Sequence, residues 1–118
     1  MLIIDDDVIV SRSIARMLAS RCVVAIETEA RVALERITRG ETFDVVLCDL
    51  TMPNVSGSQF YEAVVAFDPL LARRIVFMTN GAPSTSARQF LENTANTLLT
   101  KPFDLARLRR IVADHGAG

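Results

Sequence analysis

Histidine and cysteine are both scarce in this chain of 118 residues, which narrows the chemistry that it could perform. The only histidine, His115, lies close to the end of the chain, where a frayed helix terminus is the expected environment. Without a second histidine, histidine-rich zinc sites are effectively excluded, and a single histidine at a frayed terminus also argues against a Ser-His-Asp triad. Cys22 and Cys48 have neither C-x-x-C nor zinc spacing and lie within apolar runs, so both are expected to be small buried side chains.

Long apolar runs are also absent, and the net charge is close to zero. No apolar run approaches the roughly 20 residues that cross a bilayer, and no signal-peptide pattern opens the chain, so a cytoplasmic domain without membrane contact is expected. The net charge of −1 gives no general reason to expect nucleic acid as a partner. Hydrophobic residues make up 50% of the chain, which indicates a globular core, and the length predicts one domain, residues 1–118.

Five short apolar runs alternate along the chain with stretches of helical period. Most runs are solidly apolar, as strands covered on both faces of a parallel sheet are. The predicted strands are Leu2–Ile4, Val23–Ile26, Val45–Cys48, Ile75–Met78 and Leu98–Leu99.

The intervening stretches predict five amphipathic helices. Their apolar stripes are Ile14, Met17 and Leu18; Ala30, Ala33, Leu34 and Ile37; Phe60, Ala63, Val64 and Phe67; Ala87, Phe90 and Leu91; and Leu105, Leu108 and Val112. Strands alternating with helices predict an α/β fold, a single doubly wound domain with right-handed crossovers. The chain opens in a strand and stops just after a helix, as a domain cut from a longer protein would.

Polar residues follow four of the predicted strands, each at the carboxyl end. In open α/β sheets, ligands bind in the crevice outside these ends, so the four groups are expected to meet in one place. They are Asp5-Asp6-Asp7 after the first strand, Asp49 after the third, Thr79 after the fourth and Thr100-Lys101 at the fifth.

Such a cluster suits the acceptance of a phosphoryl group. Carboxylates held together repel one another, and a hard cation such as Mg2+ relieves this repulsion. A lysine and a threonine hydroxyl can bind phosphoryl oxygens, and an aspartate can be the nucleophile that forms an aspartyl phosphate. An acidic residue after a strand is also often just a helix cap, and this is the interpretation we favour for Asp7.

At these residues the sequence resembles the receiver domain of two-component response regulators, over essentially the whole chain. A D-x-x-M-P segment alone would be a weak signal, but here it stands at the correct spacing from an acidic pair, a threonine and a K-P-F segment. The matching segments are Leu2-Ile3-Ile4-Asp5-Asp6, Val46 to Pro53 with Gly57, Phe77-Met78-Thr79 and Lys101-Pro102-Phe103.

The resemblance implies a flavodoxin-like fold, a five-stranded parallel sheet in the order 2-1-3-4-5 with helices on both faces. It also implies a signalling domain rather than an enzyme, although such a domain assists its own phosphoryl transfer and slow autodephosphorylation. The implied partner is a histidine kinase or a histidine phosphotransfer domain, and the family also allows a homodimer. The segments from Phe77 to Leu91 and from Lys101 to Asp104 look most like receivers attached to hybrid sensor histidine kinases.

The resemblance also implies residue roles. Asp49 is the phosphoacceptor, and Asp5, Asp6 and Asp49 bind Mg2+ together with the backbone carbonyl of Thr51. The other implied roles belong to Thr79, which hydrogen-bonds the phosphoryl group, to Lys101, which pairs with a phosphoryl oxygen, and to Pro102, which follows a cis peptide bond.

Two positions depart from the family pattern. Leu98 stands where the fifth strand usually carries Tyr or Phe, which puts the family's aromatic switching in doubt. Asn80 stands where a small residue is usual, so phosphoryl transfer and hydrolysis are both expected to be slower.

Three other interpretations were weighed. A haloacid-dehalogenase-type phosphatase also uses an aspartate and Mg2+, but the chain lacks room for a cap domain and leaves Asp49 without a role. A flavodoxin-like FMN binder needs a glycine- and hydroxyl-rich loop after the first strand, where Val8-Ile9-Val10 stands. A degenerate receiver, used only as a protein-interaction module, would normally have lost one of the five key residues, and none is missing here: Asp5, Asp6, Asp49, Thr79 and Lys101.

Overall fold

The computed structural model describes residues 1–19, 23–50, 56–80, 84–101 and 105–116. Within these ranges the strands are β1 (Leu2–Ile4), β2 (Ala25–Glu27), β3 (Val46–Asp49), β4 (Ile75–Asn80) and β5 (Leu98–Lys101). The helices are α1 (Val8–Leu18), α2 (Ala30–Thr38), α3 (Gly57–Phe67), α4 (Pro69–Ala72), α5 (Thr85–Glu92) and α6 (Leu105–Gly116).

The strands form one parallel sheet in the order β2-β1-β3-β4-β5. The predicted fold class and strand order are therefore confirmed. Alternate residues of each central strand face opposite sides, as the two-residue period of a strand requires. On β3, Val46 and Cys48 belong to one core layer, with α2, α3 and α4, while Leu47 belongs to the other, with α1 and α6. This double covering explains why the predicted strands read as unbroken apolar runs.

Four helices, α1, α3, α4 and α5, begin at side-chain caps. The Asp7 carboxylate accepts from the backbone N–H groups of Ile9 and Val10 at the start of α1. At the start of α3, Ser56 and Gln59 form a reciprocal capping box. The sequence signature S-x-x-Q at this point was available but was not used in predicting the helix.

Three details of the helix prediction were wrong. Met17, predicted in the apolar stripe of α1, is exposed, with 36% of its surface accessible, while Ile14 and Leu18 are buried.

The apolar stripe predicted for α3 included Ala63 and Phe67, but both are exposed, and Phe67 keeps 54% of its surface accessible. The buried positions are Gly57, Phe60 and Val64, so two members of the predicted stripe are confirmed. At about 100° per residue Ala63 lies at the margin of the stripe that these three define, and Phe67 is the last residue of the helix.

The short helix α4 was not predicted. Pro69 occupies the first turn of α4, where the missing N–H of proline costs nothing. Asp68 caps this turn by accepting from the N–H of Leu71 at 3.2 Å. The turn seats Leu71 and Ala72 in the core just before β4 begins.

None of the helices within the described ranges combines the length and apolar character that crossing a membrane requires.

Candidate functional site

Two carboxylates are buried side by side at the carboxyl edge of the sheet. Asp5 follows the last residue of β1, and Asp49 is the last residue of the neighbouring strand β3. Asp5 is 0% exposed and Asp49 is 5% exposed. Burying a carboxylate is costly unless a cation or hydrogen-bond donors compensate its charge, so this pair requires a partner.

Lys101 supplies that compensation. Its Nζ donates to Asp5 Oδ2 at 2.6 Å and to Asp49 Oδ2 at 3.2 Å, and its side chain is only 8% exposed. Burial by itself would lower the pKa of Lys101, but the hydrogen bond to Asp5 and the charges of Asp49 and Asp5 outweigh it and raise the pKa. The side chain is therefore a buried ammonium held between two carboxylates.

The third acidic residue completes a candidate cation site. Asp6 is exposed, and one carboxylate oxygen from each of Asp5, Asp6 and Asp49 lies within 4.8 Å of the others. Three hard oxygen donors, one of them open to solvent, fit a cation such as Mg2+, which retains several waters and is held by few carboxylates. The predicted ligand Thr51 lies outside the described residues.

Asp7 is not part of this acidic group and has a structural role instead. Its backbone N–H donates to Asp5 Oδ1 at 2.9 Å, and its carboxylate caps α1. The interpretation of Asp7 as a helix cap is thus confirmed. The bond from its N–H also fixes the orientation of the Asp5 carboxylate.

Thr79 lies near the site on the next strand. It is 5% exposed on β4, one residue beyond Met78, which is the register partner of Asp49. Asn80, the residue after Thr79, is the register partner of Lys101. The sheet register thus places Asp49, Thr79 and Lys101 at three successive positions of the carboxyl edge. The peptide bond before Pro102, the side chain of Asn80, Cys22 and the side chain of His115 lie outside what the structure describes.

Gly57 permits a close approach of two chain segments beside Asp49. A Cβ atom on Gly57 would lie 2.9 Å from the Asp49 carbonyl oxygen and 2.9 Å from Leu50 Cα, closer than real Cβ atoms come. The Gly57 N–H donates to the Leu50 carbonyl at 3.3 Å, and the Leu50 N–H donates to the Met78 carbonyl at 2.9 Å. These contacts anchor the chain just after Asp49 to α3 and β4. Sequence reasoning quoted Gly57 only as part of a motif and missed this packing role.

Comparison with known proteins identifies the family to which the site belongs. Residues 1–113 match the family described as the response regulator receiver domain. The chain belongs to this family. The family is one of signalling domains with a phosphoacceptor role, so the predicted resemblance is confirmed, and the match favours it over the phosphatase and flavin-binding alternatives.

Curated relatives of this receiver include regulators and a sensor. The transcriptional regulatory protein ZraR of Klebsiella oxytoca is 28% identical over 116 residues, which cover 96% of this chain and 25% of that protein. The sensor protein GacS of Pseudomonas syringae pv. syringae is 30% identical over 90 residues, which cover 74% of this chain and 10% of that protein. The receiver thus spans a quarter or less of the length of both proteins. A sensor among the relatives agrees with the predicted likeness to receivers of sensor kinases.

Solved structures show the same fold. A response regulator receiver domain protein from Clostridium thermocellum superposes with a TM-score of 0.84 at 22% identity, over 97% of this chain and 90% of that one. A response regulator receiver domain protein from Methanospirillum hungatei gives a TM-score of 0.83 at 24% identity, over 96% of this chain and 89% of that one.

Cys48 precedes Asp49 in the sequence, but its side chain lies in the hydrophobic core. It is fully buried in the core layer of α2 and α3, as predicted for a small apolar side chain. Burial raises the pKa of its thiol, and the charges of Asp49 and Asp5 raise it further. A thiol that stays protonated is a poor nucleophile, so Cys48 is not a second acceptor in this receiver.

Proposed function

We propose that this receiver accepts a phosphoryl group on Asp49, from a phosphohistidine, and signals through the conformational change that follows. The observation that carries the proposal is the buried ammonium of Lys101 shared by Asp5 and Asp49. A cation already held against the acceptor carboxylate is placed to neutralise the charge that a phosphoryl group brings.

The reaction needs only positioning and charge neutralisation from the chain's own residues. A carboxylate oxygen of Asp49 attacks the phosphorus and forms the new P–O bond. The P–N bond of the donor breaks, and its electron pair remains on the imidazole nitrogen. Lys101 then pairs with a phosphoryl oxygen, and the hydroxyl of Thr79 donates a hydrogen bond to another.

Asp5, Asp6 and Asp49, with the backbone carbonyl of Thr51, would hold Mg2+ in this proposal. When bound, Mg2+ would offset the repulsion among the carboxylates and the charge on the phosphoryl oxygens. The exposed position of Asp6 leaves solvent access for the waters that such an ion keeps.

The donor that we propose is a histidine kinase or a histidine phosphotransfer domain in the cytoplasm, and the resemblance to sensor proteins favours attachment to a hybrid sensor kinase. We also propose that residues 1–118 form a single domain.

A degenerate receiver that only binds other proteins remains the second candidate class. This candidate differs from the proposed phosphoacceptor in one measurable property, because a degenerate receiver would not become phosphorylated.

Phosphorylation with a small donor tests the proposal. The chain is incubated with acetyl phosphate and Mg2+, and the intact mass is followed. We expect one added phosphoryl group, lost in Asp49→Asn and retained in Asp44→Asn. Asp44 is a matched control because it is an exposed aspartate in the segment before β3, and its substitution makes the same change in charge. No added mass in the unsubstituted chain, or equal labelling of Asp49→Asn, would overturn the proposal.

A further inference from the structure

Helix α3 carries an exposed apolar strip beside the stripe that it buries in the core. Ala63, Ala66 and Phe67 are exposed at positions i, i+3 and i+4, so they share one strip of the helix surface. Glu62 is the only charged residue of this helix. Exposed helix surfaces are usually rich in polar and charged side chains, so this strip is unusual for a surface that meets only water.

Large apolar side chains are concentrated at the end of this strip. Phe67, the last residue of α3, and Leu70, on α4, each keep more than half of their surface accessible. Helix α4 packs against α3, and Val65 is also exposed. Among the described residues, three of the seven large apolar side chains that are exposed therefore lie within residues 65–70. Single exposed apolar residues are normal, but a concentration of them marks an interaction surface.

Charged residues lie on either side of these apolar side chains along the chain. Glu62 stands one turn before Ala66 on α3, and Arg73 and Arg74 directly follow α4. All three charged residues are exposed. Within the part of the chain that the structure describes, none of the three forms an ion pair. The carboxylate and the two guanidinium groups are thus available to a partner.

The order of these residues makes the surface complementary to itself. The acid and the small side chains come first along the chain, whereas the large side chains and the two arginines come last. A two-fold axis through the surface reverses this order in a second copy. Large side chains then meet small ones, and the acid of each copy meets the arginines of the other. We name this surface the α3–α4 face; its members are Glu62, Ala63, Ala66, Phe67, Leu70, Arg73 and Arg74.

We propose that the α3–α4 face pairs two copies of this chain, with their α3 helices antiparallel. The ring of Phe67 in each copy packs over Ala63 and Ala66 of the other copy, where small side chains let the two helices come close. Glu62 of each copy pairs with an arginine that follows α4 in the other copy, so the dimer has an ion pair at each end. The contact is isologous and closed, so it forms a dimer and not a chain of copies.

The α3–α4 face ends far from the proposed phosphorylation site. The carbonyl of Arg74 accepts from the N–H of Val46 at 3.2 Å, which places this end of the face at the start of β3. Asp49 lies at the opposite end of that strand. Pairing through the face therefore leaves Asp49 accessible. The inference goes beyond the proposed function and does not depend on whether Asp49 accepts a phosphoryl group.

Sedimentation equilibrium of the full chain tests the inference. We expect a reversible dimer with a dissociation constant below about 1 mM. Phe67→Ser should weaken the dimer by about tenfold or more, because aromatic side chains at the centre of an interface carry much of its affinity. Ile9→Ser is the matched control, since Ile9 is an exposed apolar residue on α1, and this variant should dimerise like the unsubstituted chain. Far-ultraviolet circular dichroism checks that each variant is folded.

An exchange of charges tests the two-fold arrangement itself. Glu62→Arg places like charges opposite each other at both ends of the dimer, and so does the combined change Arg73→Glu with Arg74→Glu. Each of these two variants alone should therefore dimerise about tenfold more weakly than the unsubstituted chain. An equimolar mixture of the two should recover the original affinity, because every charge contact in the mixed dimer joins opposite charges.

Three results would overturn the inference. The first is a chain that stays monomeric at about 1 mM, which would mean that a partner other than a second copy covers the face. The second is a dimer that Phe67→Ser leaves unchanged, or that Ile9→Ser weakens equally, which would place the interface elsewhere. The third is a mixture of the charge-reversed variants that associates as weakly as either variant alone.

Discussion

Replacing Lys101 with methionine should strongly destabilise the metal-free domain. Its Nζ lies 2.6 Å from Asp5 Oδ2 and 3.2 Å from Asp49 Oδ2. With an effective dielectric constant of about 20, Coulomb's law gives about 6 and about 5 kcal/mol for these two attractions. Desolvation of the ammonium offsets several kcal/mol of that sum, so the net loss on removing one partner of a buried pair is about 3–5 kcal/mol. Domains of this kind have about 5–15 kcal/mol in total, so the loss is a large fraction.

Urea denaturation followed by far-ultraviolet circular dichroism measures this loss. Arg109→Met is the matched control, because it removes one positive charge from an exposed position on α6. We expect a change of less than about 0.5 kcal/mol there, as for most surface substitutions. Because the Lys101 pairs are buried, the difference between the two variants should persist at high salt.

Addition of Mg2+ should restore part of the stability of Lys101→Met. The variant leaves Asp5 and Asp49 without their ammonium, so a divalent cation should stabilise it more than it stabilises the unsubstituted chain. A loss of stability in Lys101→Met no larger than that in Arg109→Met would contradict this prediction. It would then follow that solvent, and not the ammonium, compensates the two carboxylates.

Three further predictions concern the same edge of the sheet. Gly57→Ala places a Cβ 2.9 Å from the Asp49 carbonyl oxygen. Urea denaturation should therefore show a loss of about 1–3 kcal/mol in the free energy of unfolding, as for other overpacked sites. A loss near zero would mean that the backbone shifts to make room. Because the pKa of Lys101 is raised in the folded state, its stabilisation is fully present below its ordinary value of 10.5 and is lost as pH rises through the raised pKa. The stability difference between the unsubstituted chain and Lys101→Met should therefore stay constant at neutral pH and shrink only in strong alkali, and a decline already at neutral pH would contradict this. Mg2+ at a hundredfold excess over its dissociation constant should stabilise the folded domain by about 2.7 kcal/mol, as measured by thermal unfolding. This gain should fall in Asp6→Asn but not in Asp7→Asn. Equal gains in the two variants would count against the metal site.

The sheet was largely predictable from the sequence because its strands are covered on both faces. Solid apolar runs identified all five strands, and the predicted and observed strand ends differ by at most two residues. One of the two-residue errors lies on the edge strand β2, which was predicted from Val23 but begins at Ala25. Val23 is 89% exposed, and its carbonyl accepts from the amino terminus of Met1, so its apolar character reflects no burial. Periodicity alone does not separate an exposed valine from a buried one.

The site was predictable as a set of residues but not as a set of contacts. Strand-end positions and the family resemblance brought together Asp5, Asp6, Asp49 and Lys101. That Lys101 reaches across the edge of β4 to bind both buried carboxylates depends on side-chain distances that no spacing encodes. The close approach at Gly57 is likewise tertiary, since its partners lie in another part of the chain.

Chemical location of the phosphoryl group tests the central claim most directly. After incubation with acetyl phosphate and Mg2+, borohydride reduction converts an aspartyl phosphate to homoserine, which tandem mass spectrometry can place. Cleavage after arginine yields one peptide, residues 40–73, that carries Asp44, Asp49 and Asp68 together, so they serve as internal controls for one another. We expect homoserine at position 49 alone. Homoserine at Asp5 or Asp6, or at none of the aspartates, would contradict this expectation.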